Sequence, residues 1–193
     1  KSALFGLLTG TYVTVSNYPG TTVEVTYGNA VLNKTKVLVI DTPGVNSLVP
    51  MSEDERVTRD MLLSDRAGVI IQVADTKNLR RGLLITLQLA EMEVPFILDL
   101  NMDDEARSRG IAVDQEKLSE ILGIEVVKTV ATRKSGIDRL LKSIAHPRTS
   151  AVAVRYDDAI EAGVRDIFPL LPETNIARRA LALMLLAGDE SLK

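Results

Sequence analysis

The 193-residue sequence contains no cysteine and a single histidine. Without thiols there is no disulfide framework and no thiolate metal site, which suits a reducing compartment. Aromatic residues make up only 4% of the chain, so its core has to be aliphatic. No apolar run reaches the ~18 residues that a membrane-spanning helix needs, and no secretory leader is visible. Net charge is −3, with Lys and Arg scattered rather than blocked, which argues against a generic nucleic-acid footprint. What is present, 46% apolar and 25% charged residues, is ordinary globular composition. It suffices for one medium domain, or one domain with a small appendage. The chain opens at Lys1-Ser2 with no initiator Met and no preceding strand, and so reads as a fragment.

Strand and helix patterns alternate along the chain. Residues 2–9 are apolar at Leu4, Phe5, Leu7 and Leu8 and stop at Gly10, a short helix with a glycine cap. Residues 11–22 carry Asn17, Pro19 and Gly20 and read as a long loop. Residues 23–32 read as a strand, turned by Asn33-Lys34 into an antiparallel partner at Val37-Leu38-Val39-Ile40. After a second loop, Ser52-Glu53-Asp54-Glu55 fits a reciprocal capping box for a helix reaching Leu63. Residues 68–74 and 95–100 are apolar runs of the buried, parallel kind. Residues 79–92 have helical spacing, 114–122 form a short helix, 125–130 a last strand, and 136–145 a helix. Such an order predicts an α/β sheet covered on both faces. His146-Pro147 interrupts it, and two helical stretches, 156–168 and 175–187, come after it without a strand. The expected division is therefore 1–147 and a helical appendage, 148–193.

Chemistry-bearing residues collect at strand ends, where open α/β sheets bind ligands. Asp41-Thr42-Pro43-Gly44 closes the strand at Val37. Taken alone, it could be an ordinary turn. It also matches D-x-x-G, in which the Asp holds Mg²⁺ through water and the Gly N–H meets a γ-phosphate. Some 40 residues earlier, Lys1-Ser2 opens a helix and matches the end of a Walker A pattern: Lys on the β- and γ-phosphates, Ser on Mg²⁺. The glycines of that pattern precede Lys1. Thr21 and Thr22 lie in the intervening loop, where such switches place a Thr on Mg²⁺. Asn101-Met102-Asp103-Asp104 ends another strand and matches N-x-x-D. There Asp104 accepts from guanine N1–H and N2–H₂, donors that adenine does not present. Asp103, offset by one, points elsewhere, and Met102 packs near the base.

These motifs stand in stretches that resemble one family. Asn17-Tyr18-Pro19-Gly20-Thr21-Thr22-Val23-Glu24 is similar to the switch I signature of the bacterial ferrous-iron transporter FeoB. Residues 52–60, 78–89, Val94-Pro95 and Asn101-Met102 also match that family, so the resemblance covers nearly all of 1–145. It implies a P-loop NTPase fold of the Ras-like G-domain type, with a mostly parallel central sheet flanked by helices. The tail resembles the start of the family's inhibitor-like helical domain, which couples the GTPase to the membrane pore. By this resemblance Lys1 and Ser2 serve phosphate and Mg²⁺, and Thr22 rather than Thr21 is the switch I threonine. Asp41 and Gly44 form switch II, and Asn101, Met102 and Asp104 meet the base. Thr129-Val130-Ala131 aligns with the loop behind the base. Val130 replaces its serine and removes a side-chain hydrogen bond, leaving a backbone contact from Ala131 to guanine O6.

The expected function is GTP binding with Mg²⁺ and slow hydrolysis, in a nucleotide switch coupled to Fe(II) uptake. Its loops, about 12–24 and 42–58, would order on γ-phosphate contact. Val45 stands where small GTPases carry a water-orienting Gln, and an isopropyl group cannot position water. In the resembled family potassium can activate hydrolysis through an Asn preceding the position of Lys1. The implied setting is the cytoplasmic face of the bacterial inner membrane, with GTP/GDP and the transporter's own pore domain as partners. Nucleic acid is not expected, and a homo-oligomer is compatible. Competing readings are a ribosome- or tRNA-associated GTPase, a nucleotide-gated interaction module with incidental hydrolysis, and a purely structural domain. His146, Glu53-Asp54-Glu55, Asp157-Asp158 and Arg178-Arg179 read as helix-end or solvated charges rather than as ligands.

Overall fold

The run Pro95–Asn101 becomes the central strand, β5, of a parallel sheet, and its side chains show why it is apolar. Phe96, Leu98 and Leu100 project to one face and Ile97 to the other, all fully buried. Burying each contributes about 1.5–3 kcal/mol. The computed structural model describes residues 1–10, 13–32, 34–64, 67–189 and 192. β4 (Ile70–Asp75) and β6 (Val126–Thr129) flank β5 in parallel. A second sheet is an antiparallel meander of β1 (Val13–Asn17), β2 (Glu24–Leu32) and β3 (Thr35–Asp41). The parallel part of the architecture is thus confined to β4–β6. The β2–β3 hairpin has the expected sense, with Leu32 opposite Thr35. Asn33, assigned to its turn, lies outside the described residues, as do Thr11 and Tyr12.

Helices cover both faces. α1 (Ser2–Thr9) packs on β2, β3 and the turn after β6, so it bridges the two sheets. Its Leu4 joins Ile97, Val127 and Leu140, the last from α6 (Ile137–Ile144). On the opposite face α3 (Leu79–Glu91) and α5 (Gln115–Leu122) contribute Leu89 and Leu122 to the main core. α2 (Glu53–Ser64) places Val57 and Met61, one helical turn apart, on Val23 and Val25. Its capping box is half formed. Ser52 Oγ accepts from Glu55 N at 3.3 Å, but the Glu55 carboxylate turns to the N–H groups of Met51 and Asn46, at 2.9 and 3.2 Å. Those backbone donors, Met51 first, hold the Glu55 carboxyl below its usual range, and they fasten the 42–52 loop to the helix.

Three elements differ from the sequence expectation. Residues 13–17, read as loop, form β1, whose five side chains are all exposed. Residues 103–108 form a short helix, α4 (Asp103–Ser108), which has no apolar stripe to announce it. A two-residue strand, β7 (Arg148–Thr149), lies just past His146-Pro147 and pairs antiparallel with β5. Beyond it, Asp157 caps α7 (Asp158–Ile167), accepting from Ile160 N at 2.9 Å. Within the helical tail, α8 (Arg178–Leu186) packs on the domain: Ala180, Leu181 and Met184 enter the same core as Leu89, Met92 and Phe96. Ala177 N also donates to Met92 O at 2.9 Å.

Candidate functional site

Parallel pairing sets the strand ends level. Asp75, Asn101 and Thr129 are register partners across β4, β5 and β6, so the three loops leaving these strands emerge along one rim. Asn101 is buried, and its Oδ1 accepts from Met102 N at 2.7 Å and from Ala131 N at 3.5 Å. Thr76 Oγ1 holds the Asn101 carbonyl at 2.7 Å. Met102 takes a left-handed conformation, φ 61°, and the chain then turns at once into α4. This brings Asp104 to the rim, partly exposed, with Oδ1 accepting from Glu105 N at 3.0 Å. Asp103, the offset acid, is buried and turned to Arg107 at 2.7 Å and Lys128 at 3.6 Å.

The loop after β6 supplies the facing wall. Thr129 points beneath the rim, donating from Oγ1 to Asp99 Oδ1 at 2.7 Å. Val130 pairs with Ser135 across the loop, and Ala131 begins a tight turn through Arg133. Gly136 closes it at φ 79°, where an added Cβ would lie 2.2 Å from Lys128 O; only glycine fits. Asn101 and Ala131 thus touch, and Asp104 reaches the same loop through Arg133, whereas the Thr129 hydroxyl is used within the protein.

Where β3 ends in the antiparallel sheet, the Lys1 ammonium contacts the Asp41 carboxylate and the Thr42 carbonyl. Ser2 is exposed in the first turn of α1. Gly44 is exposed, with nothing within 4 Å of where a Cβ would be, so its N–H can be approached closely. Thr22 does not join this group: its hydroxyl faces Glu53 Oε2 at 3.4 Å. Val45 packs inward on the main core.

Four residues at this site escaped the motif reading. Lys77, after β4, reaches Met102 Sδ at 3.2 Å and Glu105 at 2.6 Å; its hydrogen bond to Glu105 raises its pKa. Arg133 pairs with Asp104 at 3.4 Å. Glu53 holds Thr22. Asp99, in mid-β5, is fully buried, and its Oδ2 has no hydrogen-bond partner among the described residues. Burial pushes its carboxyl up to about 6. A lone acid inside the run Phe96–Leu100 was the signal available for it. A cavity of about 440 Å³ lined by Gln115, Glu120, Arg139 and Arg148, among others, involves none of these groups.

Parallel strands with loops converging at their C-terminal ends, and helices on both faces, define a P-loop NTPase-type α/β domain of the G-domain kind. The chain belongs to the family described as Ferrous iron transport protein B, FeoB, which matches over residues 1–144. It is 39% identical over 174 residues to the Fe(2+) transporter FeoB of Staphylococcus aureus (strain MSSA476), covering 89% of this chain and 26% of that one. To the Salmonella typhimurium transporter it is 36% identical over 205 residues, covering 98% and 26%. The chain therefore spans about a quarter of the length of these curated relatives. The cytosolic domain of T. maritima FeoB in its GMPPNP form superposes with a TM-score of 0.90 at 34% identity, over 99% of this chain and 78% of that one. The cytosolic domain of L. pneumophila FeoB gives 0.89 at 32% identity, over 98% and 85%. Among the described residues no helix is long and apolar enough to cross a membrane.

Proposed function

We propose that this chain binds GTP and GDP with Mg²⁺ and hydrolyses GTP slowly, as the nucleotide switch of a ferrous-iron transporter at the cytoplasmic face of the membrane. The observation that carries the reading is the Ala131 N–H resting on Asn101 Oδ1 at the level ends of β5 and β6, with Asp104, three residues on, reaching Arg133 of the same loop. A buried asparagine ties the two loops together, while a carboxylate and an amide N–H offer complementary edges to a base bearing both donors and a carbonyl. Asp104 would take guanine N1–H and N2–H₂, Ala131 N–H the O6, and Met102 would pack beside the ring.

Lys1 would hold the β- and γ-phosphates and Gly44 N–H the γ-phosphate. Ser2, Thr22 and Asp41 would offer oxygen atoms to Mg²⁺. The Asp41 carboxylate, 13% exposed, already faces a cation in the Lys1 ammonium, which fits a metal role. Mg²⁺ commonly takes one or two protein oxygens and completes its shell with phosphates and water. When bound, the ion supplies charge neutralisation at the phosphates. Thr22 would leave Glu53 to join it, and that exchange would be the switch in loop 12–24.

With Val45 packed on the core, the position right after Gly44 offers no group to orient a nucleophilic water, so intrinsic turnover would be slow and potassium is a candidate activator. Residues 148–193 would be the beginning of the helical unit that passes the nucleotide state to the pore domain. The docking of α8 on α3 gives that signal a physical route, and self-association of the whole transporter fits the same scheme. Fluorescent GDP titrated into the intact protein and competed with unlabelled nucleotides tests the reading. GDP should displace the probe at concentrations at least about 100-fold below ADP; equal displacement would overturn it.

A further inference from the structure

We propose that Arg133 is a built-in competitor for the guanine base, occupying with its guanidinium the carboxylate edge that the base must take. The inference rests on the reading of Asp104 as the base-recognising acid. Both Asp104 oxygens are engaged within the protein. Oδ1 accepts from Glu105 N at 3.0 Å, and Oδ2 faces Arg133 Nη2 at 3.4 Å. A guanidinium is a planar N–C–N fork of donors. The N1–C2–N2 edge of guanine is the same fork, because the base contains a guanidine unit. One carboxylate edge cannot serve both, so binding the base requires expelling the arginine.

The placement is built into the loop. Arg133 is the third residue of the turn Ala131–Arg133, held by Arg133 N to Val130 O at 3.0 Å and Lys134 N to Ala131 O at 3.1 Å. The same turn presents the Ala131 N–H, and Gly136 fixes its far end against Lys128. Arg133 therefore rides on the segment that meets the base, and its side chain, 72% exposed, has solvent to swing into. That exposure also bounds the effect. An exposed ion pair is worth about 0–1 kcal/mol, which corresponds to up to about a fivefold reduction in apparent affinity. Competition of this size lowers the fraction of molecules open to the base. It therefore acts on the association rate and leaves dissociation unchanged.

A double-mutant cycle on the intact protein, read by stopped-flow with fluorescent nucleotides, tests this. Arg133→Ala should speed GDP association about two- to fivefold without changing dissociation. In the Asp104→Asn background, read with xanthosine diphosphate, the same substitution should have less than half that effect. The cycle also removes any general influence of the Arg133 charge on phosphate steering, which is common to both backgrounds. If Arg133→Ala slows GDP association, or changes it equally in both backgrounds, the competitor role is wrong while the base site stands. If Asp104→Asn leaves guanine preference unaltered, the base-site reading fails and takes this inference with it.

Discussion

Asp99 offers the sharpest energetic prediction. Its side chain leaves mid-β5 beside Val73 and Val127, on the face that carries Ile97. Its Oδ1 accepts from Thr129 Oγ1 at 2.7 Å, and its Oδ2 has no hydrogen-bond partner among the described residues. Burial drives its carboxyl up from an ordinary 3.8 to about 6, against the opposing pull of the Thr129 hydroxyl. A carboxyl whose folded pKa lies above its unfolded value holds its proton longer in the native state. Between about pH 4 and 6 the native protein therefore binds more protons, and stability falls as pH rises through that window. At 1.36 kcal/mol per unit the loss approaches about 3 kcal/mol once the group is fully ionised. The substitution Asp99→Asn is isosteric, leaves an oxygen to accept from Thr129, and removes the charge at every pH. Urea unfolding of Asp99→Asn and wild type at pH 4.5 to 8 reads the effect as a change in midpoint at constant slope. The stability of the variant relative to wild type should climb by about 2–3 kcal/mol between the two extremes and level off above pH 7. A difference that is flat with pH, or that shrinks as pH rises, would refute the reasoning.

Other consequences concern packing and the tail. Arg59 of α2 and Asp189, just beyond α8, form an ion pair that is almost wholly buried. Asp189→Ala should cost about 1–3 kcal/mol in urea unfolding, because it removes one carboxylate from Arg59, whose Nε keeps Asp60 at 2.8 Å. Gly136→Ala forces a Cβ onto Lys128 O; it should destabilise the protein by about 1–3 kcal/mol and weaken GDP binding, because the same loop carries Ala131. Glu161 is held down to about 2 by Arg179 and by Tyr156 N–H. Its contribution is present above its ordinary carboxyl range and disappears as pH falls towards 2, so the melting-temperature deficit of Glu161→Gln should shrink across that range.

The features legible in the sequence are those written in local pattern. The apolar runs at 68–74 and 95–100 have no other good reading than buried strands, and they became β4 and β5. Asn101 and Asp104 could be placed because a strand must end before them, and the parallel register then sets Asn101 level with Thr129. β1 was illegible because all five of its side chains face outward and only its backbone pairing with β2 makes it a strand. α4 carries its acids in its first turn and has no stripe, so it resembles a loop until Met102 adopts its left-handed turn. The Thr22 hydroxyl rests on Glu53, a contact spanning 31 positions that no local pattern announces. Arg59 and Asp189 are 130 positions apart, and no spacing rule connects them. Arg133 lay within reach of inference, just beyond the aligned loop, but its partner becomes evident only when β5 and β6 are side by side.

Recognition of the base by Asp104 is the claim on which the function depends, and one exchange of a carboxylate for an amide tests it. Asp104→Asn presents a donor where guanine also has one, and where xanthine has a carbonyl. Dissociation constants of the Asp104→Asn protein for GDP and xanthosine diphosphate, measured side by side with wild type, give the answer. GDP affinity should fall by about 100-fold or more, while xanthosine diphosphate becomes the tighter ligand. Unchanged guanine preference in the folded variant would contradict the assignment.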